Sequence, residues 1–235
     1  MSDAQWYRGN LQYAVDIVMC IDTTASMRPV LDTVKESALS FHGRLSNAMA
    51  EKGKSISQLR LRVIAFRDFV DHAADALAAT GFFDIPSQVT HFQDFVRELE
   101  PLGGGDVPES GLEALALAIG SPWENGLDRR RHVIVVFTDA PAHPLGLPGA
   151  TSAATYPHGI PQSMDELFEQ WGYARSQNSI MDNSAKRLVL FTPEAAPWID
   201  IADEWNLTMH FPSKAGEGLE EFEMDEIINT IVNTL

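Results

Sequence analysis

The segment Asp22-Thr23-Thr24-Ala25-Ser26 places three oxygen-bearing side chains at alternate positions, 22, 24 and 26, directly after an apolar run. One carboxylate and two hydroxyls converging on a point are the ligand chemistry of a hard cation that keeps part of its water shell, which suits Mg²⁺ and also Mn²⁺. A plainer role is open to the same segment, because Thr or Ser ahead of a helix often caps it. A second candidate is Phe137-Thr138-Asp139-Ala140-Pro141, where an acidic residue ends another apolar run. Asp139 there either meets the cation or starts a turn before Pro141. The third is Gly103-Gly104-Gly105-Asp106-Val107-Pro108-Glu109-Ser110. Its glycines free the backbone to carry Asp106 to a metal, while the alternative makes Asp106 a helix cap with Glu109 in the first turn. Arg67-Asp68 follows a further apolar run and is given no role, since Arg-Asp pairs on loops are usually weak surface ion pairs.

These segments need elements to position them, and the hydropathy pattern supplies them. Short apolar runs rich in β-branched residues at Ala14 to Ile21, Leu59 to Phe66, His132 to Thr138 and Arg187 to Phe191 predict strands buried on both faces, with a further short strand at Leu207 to Phe211. Helical spacing appears between them. Val30, Leu31, Val34, Ala38, Phe41, Leu45 and Met49 form one stripe, with Pro29 in its first turn. Similar helices are expected at Gln88 to Leu99, Pro108 to Ile119, Met164 to Ser176, Ala196 to Trp205 and Leu219 to Val232. Alternating strands and helices predict a doubly wound, Rossmann-like α/β fold, with a mostly parallel sheet covered by helices on both faces. Such sheets bind ligands at the carboxyl ends of their strands, where the Asp22 and Asp139 segments fall. The stretch Pro141 to Pro161 is too long for an ordinary strand-to-helix connection and reads as a rim or lid loop.

Length and composition bound the answer. The 235 residues suit one domain, with its core from about residue 14 to 235, and 45% hydrophobic with 21% charged residues is ordinary globular usage. Cys20 has no partner in the chain and lies in an apolar run, so it is expected to be a buried core thiol. The first residues lack a basic region followed by an apolar stretch, so no secretory signal is expected. Together with the lone cysteine, this suggests a cytoplasmic location. The longest apolar runs are far short of the roughly 20 residues that span a bilayer. A formal charge of −16 opposes binding to nucleic acid or anionic lipid.

Taken together, the loops around Asp22, Asp106 and Asp139 resemble the von Willebrand factor A domain with its metal-ion-dependent adhesion site. In that family the first loop reads Asp-x-Ser-x-Ser, matched by Asp22, Thr24 and Ser26 with threonine replacing the first serine. Asp139 matches the aspartate of the third loop. The second loop usually offers a threonine, and here Asp106 takes that place. Arg67-Asp68 followed by Gly-Gly-Gly-Asp-x-Pro-Glu is similar to an intracellular subgroup that includes A domains attached to alpha-type kinases. The resemblance implies a metal held by Asp22, Thr24, Ser26, Asp106 and Asp139, with one position open to an Asp or Glu of a partner protein. A third carboxylate would make the site more negative than usual, raising metal affinity and lowering the demand for an anionic partner.

The function implied is a non-enzymatic, cation-dependent protein-interaction module acting as an adaptor. Two alternatives stay open: a Mg²⁺-dependent phosphohydrolase, and an A-domain scaffold that binds partners without using metal. The first would want Asp-x-Asp after the first strand, where position 24 is Thr. The glycine run is neither Gly-x-Gly-x-x-Gly nor followed by Lys-Ser/Thr, so no nucleotide loop is indicated. His132, His143 and His158 lack the helical spacing of zinc motifs and read as scattered surface histidines. Trp6, Trp123, Trp171, Trp198 and Trp205 read as dispersed, half-buried helix residues.

Overall fold

A computed structural model describes residues 13–53, 56–103, 107–127, 129–173 and 177–213. Its spine is β1 (Tyr13–Asp22), whose residues are buried from Ala14 onward. On one side β1 pairs in parallel with β2 (Ile56–Phe66), on the other with β5 (Arg129–Phe137). The parallel sheet continues outward through β6 (Lys186–Pro193) and β7 (Thr208–Ser213). Two three-residue strands, β3 (Leu77–Ala79) and β4 (Phe83–Ile85), run antiparallel along the outer edge of β2. The apolar runs do not predict them. They are short, half-exposed segments whose pairing depends on the edge that β2 presents.

The period of two along each strand sorts side chains to two faces. Val15, Ile17, Met19 and Ile21 join Leu61, Val63, Val133 and Val135 on one face, covered by α1 (Arg28–Glu51) and α2 (Val89–Glu98) through Phe41, Leu45, Met49, Phe92 and Val96. On the opposite face Val18, Cys20, Ile64, Ile134 and Val136 meet α3 (Gly111–Ile119), α5 (Met164–Trp171) and α6 (Trp198–Glu204). Helices therefore cover both faces, as the strand-helix alternation predicts. Pro29 lies in the first turn of α1.

Several segments differ from the sequence expectation. Helix α3 starts at Gly111 rather than Pro108, because Glu109 forms a parallel bridge with Ala142 instead of entering the helix. Helix α5 ends at Trp171, where Gly172 takes φ +80 and turns the chain away. The Pro141 to Pro161 stretch is not purely loop, since it contains the single turn α4 (Pro148–Thr151) packed beneath Phe69 and Tyr156. The expected helix at Leu219 to Val232 lies outside the described residues, as does Trp6.

Register sets where the candidate loops emerge. Asp22 stands opposite Phe66 of β2, and Ile21 opposite Phe137 of β5. The chain turns from β1 to β2 on one side of the sheet and places β5 on the other. The carboxyl ends of β1 and β5 therefore flank the point where strand order reverses, the crevice in which doubly wound sheets hold ligands.

Candidate metal centre

At that crevice Asp22, Thr24, Ser26 and Asp139 come together. Thr24 donates to Asp22 Oδ1 twice, from its backbone N over 2.8 Å and from Oγ1 over 2.7 Å. Thr24 Oγ1 lies 3.1 Å from Ser26 Oγ, which donates to Asp139 Oδ1 over 2.9 Å. Four side-chain oxygens from two loops thus form one continuous chain. The second oxygen of Asp22 accepts from Thr138 Oγ1 over 2.6 Å, which fixes the carboxylate plane. Asp106 lies outside the described residues.

Helix capping does not account for this arrangement. Thr24 precedes a short 3-10 turn at Ala25–Met27 and Met27 precedes α1, and neither position makes a side-chain cap bond. The hydroxyls of Thr24 and Ser26 are instead turned toward carboxylates.

The loop carrying them is held by its neighbours. Thr23 donates to the Phe66 carbonyl from its N and its Oγ1, over 2.9 and 3.1 Å. Leu102 N donates to Thr23 O, and Ala25 N donates to Gly103 O, so the start of the glycine loop is stitched to the first loop. Gly103 has φ +69, and a side chain there would collide with the His72 ring.

Arg67 and Asp68 are not a surface ion pair. Arg67 donates to three carbonyls, those of Thr23, Asp75 and Glu100, over 3.1, 2.9 and 3.0 Å. It ties three connections into one rim. Asp68 is buried, and its Oδ1 accepts from Ser110 Oγ and Val70 N, both over 3.1 Å, with His143 Nε2 at 3.4 Å. The Arg-Asp dipeptide gave no signal for this, because the partners are backbone groups and residues far along the chain.

On the third loop, Trp198 of α6 donates from Nε1 to the Ala140 carbonyl over 2.9 Å, next to Asp139. Trp198 is fully buried against Gly111, where an added Cβ would lie 2.7 Å from its ring. Trp123, Trp171 and Trp205 are buried as well, and Trp171 stacks on Trp205 at 5.7 Å. The tryptophans of α5, α6 and the 205 position thus fill one core face; they are not dispersed half-buried residues.

The histidines expected on the surface also divide. His132, at the start of β5, is buried, stacks on Trp123 and shares a 2.8 Å hydrogen bond with the Glu124 carbonyl. His143 lies beyond the other end of the same strand, against Asp68, so the two do not converge. Cys20 is a buried thiol donating to Ala114 O, and burial pushes it up to about 12, so it is chemically inert.

Burial and like charge hold two carboxyls at this edge above their ordinary range. Asp22 is fully buried, and burial raises its carboxyl to about 6 despite the hydrogen bonds from Thr138 and Thr24; Asp139 raises it further. Glu109, expected in the first turn of a helix, instead lies beside the Asp139 loop, bridged to Ala142. It is buried, its Oε2 meets no hydrogen-bond donor among the described residues, and its carboxyl is pushed up to about 9. Burial is the main cause, followed by the charges of Asp22, Asp68, Asp71 and Asp139. Two buried carboxylates and two hydroxyls offer oxygen only, which fits a hard divalent cation of the Mg²⁺ type. Soft metals would find neither thiolate nor imidazole in the set.

A doubly wound α/β domain with an acidic, hydroxyl-bearing crevice at its strand ends is the class that fold and site define. Residues 16–153, more than half of the chain, match the von Willebrand factor A domain family, and the chain belongs to it. It is 28% identical over 155 residues to the alpha-protein kinase vwkA of Dictyostelium discoideum, a match covering 65% of this chain and 23% of that protein. The chain therefore spans about a quarter of that relative's length. Among solved structures, the pilus adhesin SpaC of Lactobacillus rhamnosus GG in its open conformation aligns with a TM-score of 0.52 at 11% identity. That alignment covers 96% of this chain and 30% of the adhesin, and it shows the shared fold. No helix among the described residues is long and apolar enough to cross a membrane.

Proposed function

We propose that this domain is a non-enzymatic, divalent-cation-dependent protein-interaction module. Asp22, Thr24, Ser26 and Asp139, joined by Asp106, would hold Mg²⁺ or Mn²⁺ at the carboxyl edge of the sheet, and a partner's Asp or Glu would complete the ion's shell. The observation that carries this reading is the chain of four oxygens from Asp22 Oδ1 through Thr24 and Ser26 to Asp139 Oδ1. A cation held by few protein groups keeps unmet charge, so an incoming carboxylate gains a contact that a neutral group does not.

Two further features support a protein partner. Val70, Leu102 and Val107 are exposed on loops that leave this same edge, so apolar surface flanks the acidic crevice. The vwkA relative supports placing the chain with A domains associated with alpha-type kinases, and we read it as a cytoplasmic adaptor. We read the chain from about residue 14 to 235 as one such domain.

The test is titration calorimetry of Mg²⁺ into the wild type and Asp22→Ala, followed by partner capture with and without chelator. Binding by the wild type alone, and capture lost on chelation, are expected. Capture of the same partners by both proteins in chelator would sink the cation-dependent reading in favour of a metal-independent scaffold.

A further inference from the structure

The arginines at the amino edge of the sheet, opposite the acidic crevice, fall into two groups. On the face covered by α3, α5 and α6 each has a fixed polar partner: Arg60 holds Asp16 at 2.6 Å, Arg130 holds Asp182 at 2.7 Å, and Arg62 donates to Ser121 Oγ over 2.7 Å. Arg129, Arg131 and Arg187 stand on the other face. They continue the columns of Val133, Val135, Val189 and Phe191, which pack toward α1 and α2, beyond the end of that core. Val133 pairs with Arg187, so Arg131 lies two residues earlier on the same face, within reach of a long side chain.

None of these three meets a carboxylate among the described residues. Asp182, whose charge reaches Arg131, has both oxygens occupied: Oδ2 by Arg130, and Oδ1 by Ser184 N and Oγ, each over 2.8 Å. Arg131 Nη1 is anchored to the Arg130 and Ser184 carbonyls over 2.8 and 3.2 Å, and Arg187 Nη1 to the Lys186 carbonyl over 2.5 Å. One corner of each fork is thus fixed to backbone, while Nη2 of both meets no acceptor among the described residues. Like charges are held together instead: burial, then Arg187 and Arg129, draw the Arg131 guanidinium below its ordinary range. In a chain with 33 acidic and 17 basic residues, three clustered arginines with no acid among the described residues to match them run against the general charge.

An apolar residue stands beside them. Arg187 and Leu207 lie one step before the Leu188–Thr208 pair of β6 and β7, and Leu207 is 38% exposed. Its backbone takes φ +62, a left-handed conformation rare for leucine, in a turn closed by Leu188 N donating to Leu207 O over 3.0 Å. Strain of this kind gathers where a fold presents a side chain to a ligand. Forked guanidiniums match carboxylates, and an exposed apolar contact beside them suits a peptide. The net charge of −16 opposes the many phosphates of a nucleic acid or an anionic membrane, whereas a short segment brings few charges. We infer that Arg129, Arg131 and Arg187, flanked by Leu207, form an interaction surface at the amino edge of the sheet for a carboxylate-rich segment of a protein partner. It lies at the edge away from Asp22 and Asp139 and needs no cation.

The test is fluorescence anisotropy in chelator, which silences any cation-dependent binding, with a dye-labelled peptide repeating Glu-Glu-Leu and its Gln-Gln-Leu counterpart. We expect the wild type to bind the acidic peptide alone, and more weakly as NaCl rises. Arg131→Gln/Arg187→Gln should lose at least about 10-fold in affinity. Arg28→Gln/Arg97→Gln, which removes the same charge from α1 and α2, should stay within about 2-fold of the wild type. Arg187→Gln alone, whose guanidinium holds only a neighbouring carbonyl, should bind about 3-fold more weakly at an unchanged melting temperature, which separates loss of the surface from loss of the fold. Equal affinity in the wild type and both arginine variants, an equal loss in the control pair, or no binding by the wild type would overturn the inference. So would tighter binding, through the same arginines, of an oligonucleotide or of phosphatidylserine vesicles, which would make the surface one for phosphate.

Discussion

Ser26 Oγ donates to Asp139 Oδ1 over 2.9 Å, joining the loop after β1 to the loop after β5 across 113 residues of sequence. Neither loop closes the oxygen chain alone. Asp22, Thr24 and Ser26 come from one connection, and only the adjacency of β1 and β5 brings the second carboxylate to it.

The hydroxyl at position 24 gives the first prediction. Thr24→Ser keeps the oxygen and should retain Mg²⁺ binding within about 3-fold, whereas Thr24→Val keeps the shape and should lose at least about 10-fold. Calorimetry on the two variants side by side measures this. Equal affinities would mean that Thr24 Oγ1 serves the fold only.

Glu113 gives a pH prediction that sits apart from the cation ligands. Burial raises its carboxyl from 4.5 to about 7; the hydrogen bond from Tyr156 lowers it and Asp68 raises it. The folded value exceeds the unfolded one, so the native state binds the extra proton. Its contribution is fully present below about pH 4.5 and is lost as pH rises to about 7. Glu113→Gln lacks this titration. Its stability relative to the wild type should therefore grow between pH 5 and pH 8, by about 2 kcal/mol. Urea denaturation at the two pH values reads the difference, and subtraction cancels opposing groups such as His132, whose buried ring is shifted downward. A pH-independent difference would contradict the argument.

Arg67 is a strut between backbone carbonyls, and its loss should be felt at the crevice. Arg67→Met leaves the Thr23, Asp75 and Glu100 carbonyls short of a donor and should cost about 2–4 kcal/mol. Lysine has no planar fork to span the three acceptors, so Arg67→Lys should recover less than half of that. Guanidinium denaturation measures the cost. Because Thr23 precedes Thr24, Mg²⁺ affinity should fall with stability rather than independently of it.

Trp198 and Gly111 form a single contact that fixes the Asp139 loop. Gly111→Ala forces a Cβ against the Trp198 ring and should destabilise by about 1–3 kcal/mol. Trp198→Phe loses the bond to Ala140 O and part of the packing, at a similar cost. If Gly111→Ala acts through the ring, its penalty should shrink in the Trp198→Phe background, which a double-mutant cycle would reveal. Strict additivity would rule that contact out as the cause.

By itself the sequence determined the strands that carry the site and the residue types at their ends. Continuous apolar runs at Ala14 to Ile21 and His132 to Thr138 follow from burial on both faces, and the Asp22-Thr24-Ser26 spacing is local, so both are legible in one dimension. Membership of an α/β class with helices on both faces follows from the alternation of periods. Tertiary structure alone decided what depends on distant partners. Arg67 and Asp68 acquired roles because carbonyls and a serine from other connections reach them. Glu109 left its expected helix because Ala142 offered a bridge. Trp198 became a support for the Asp139 loop because α6 packs on β6 and β7 and its indole reaches the Ala140 carbonyl just after β5. The short edge strands β3 and β4 have too few apolar residues to announce themselves and exist because β2 has an open edge. A sequence encodes burial as a pattern, whereas a buried polar group is explained only by the group it meets, and that meeting is fixed by the packing of the whole sheet.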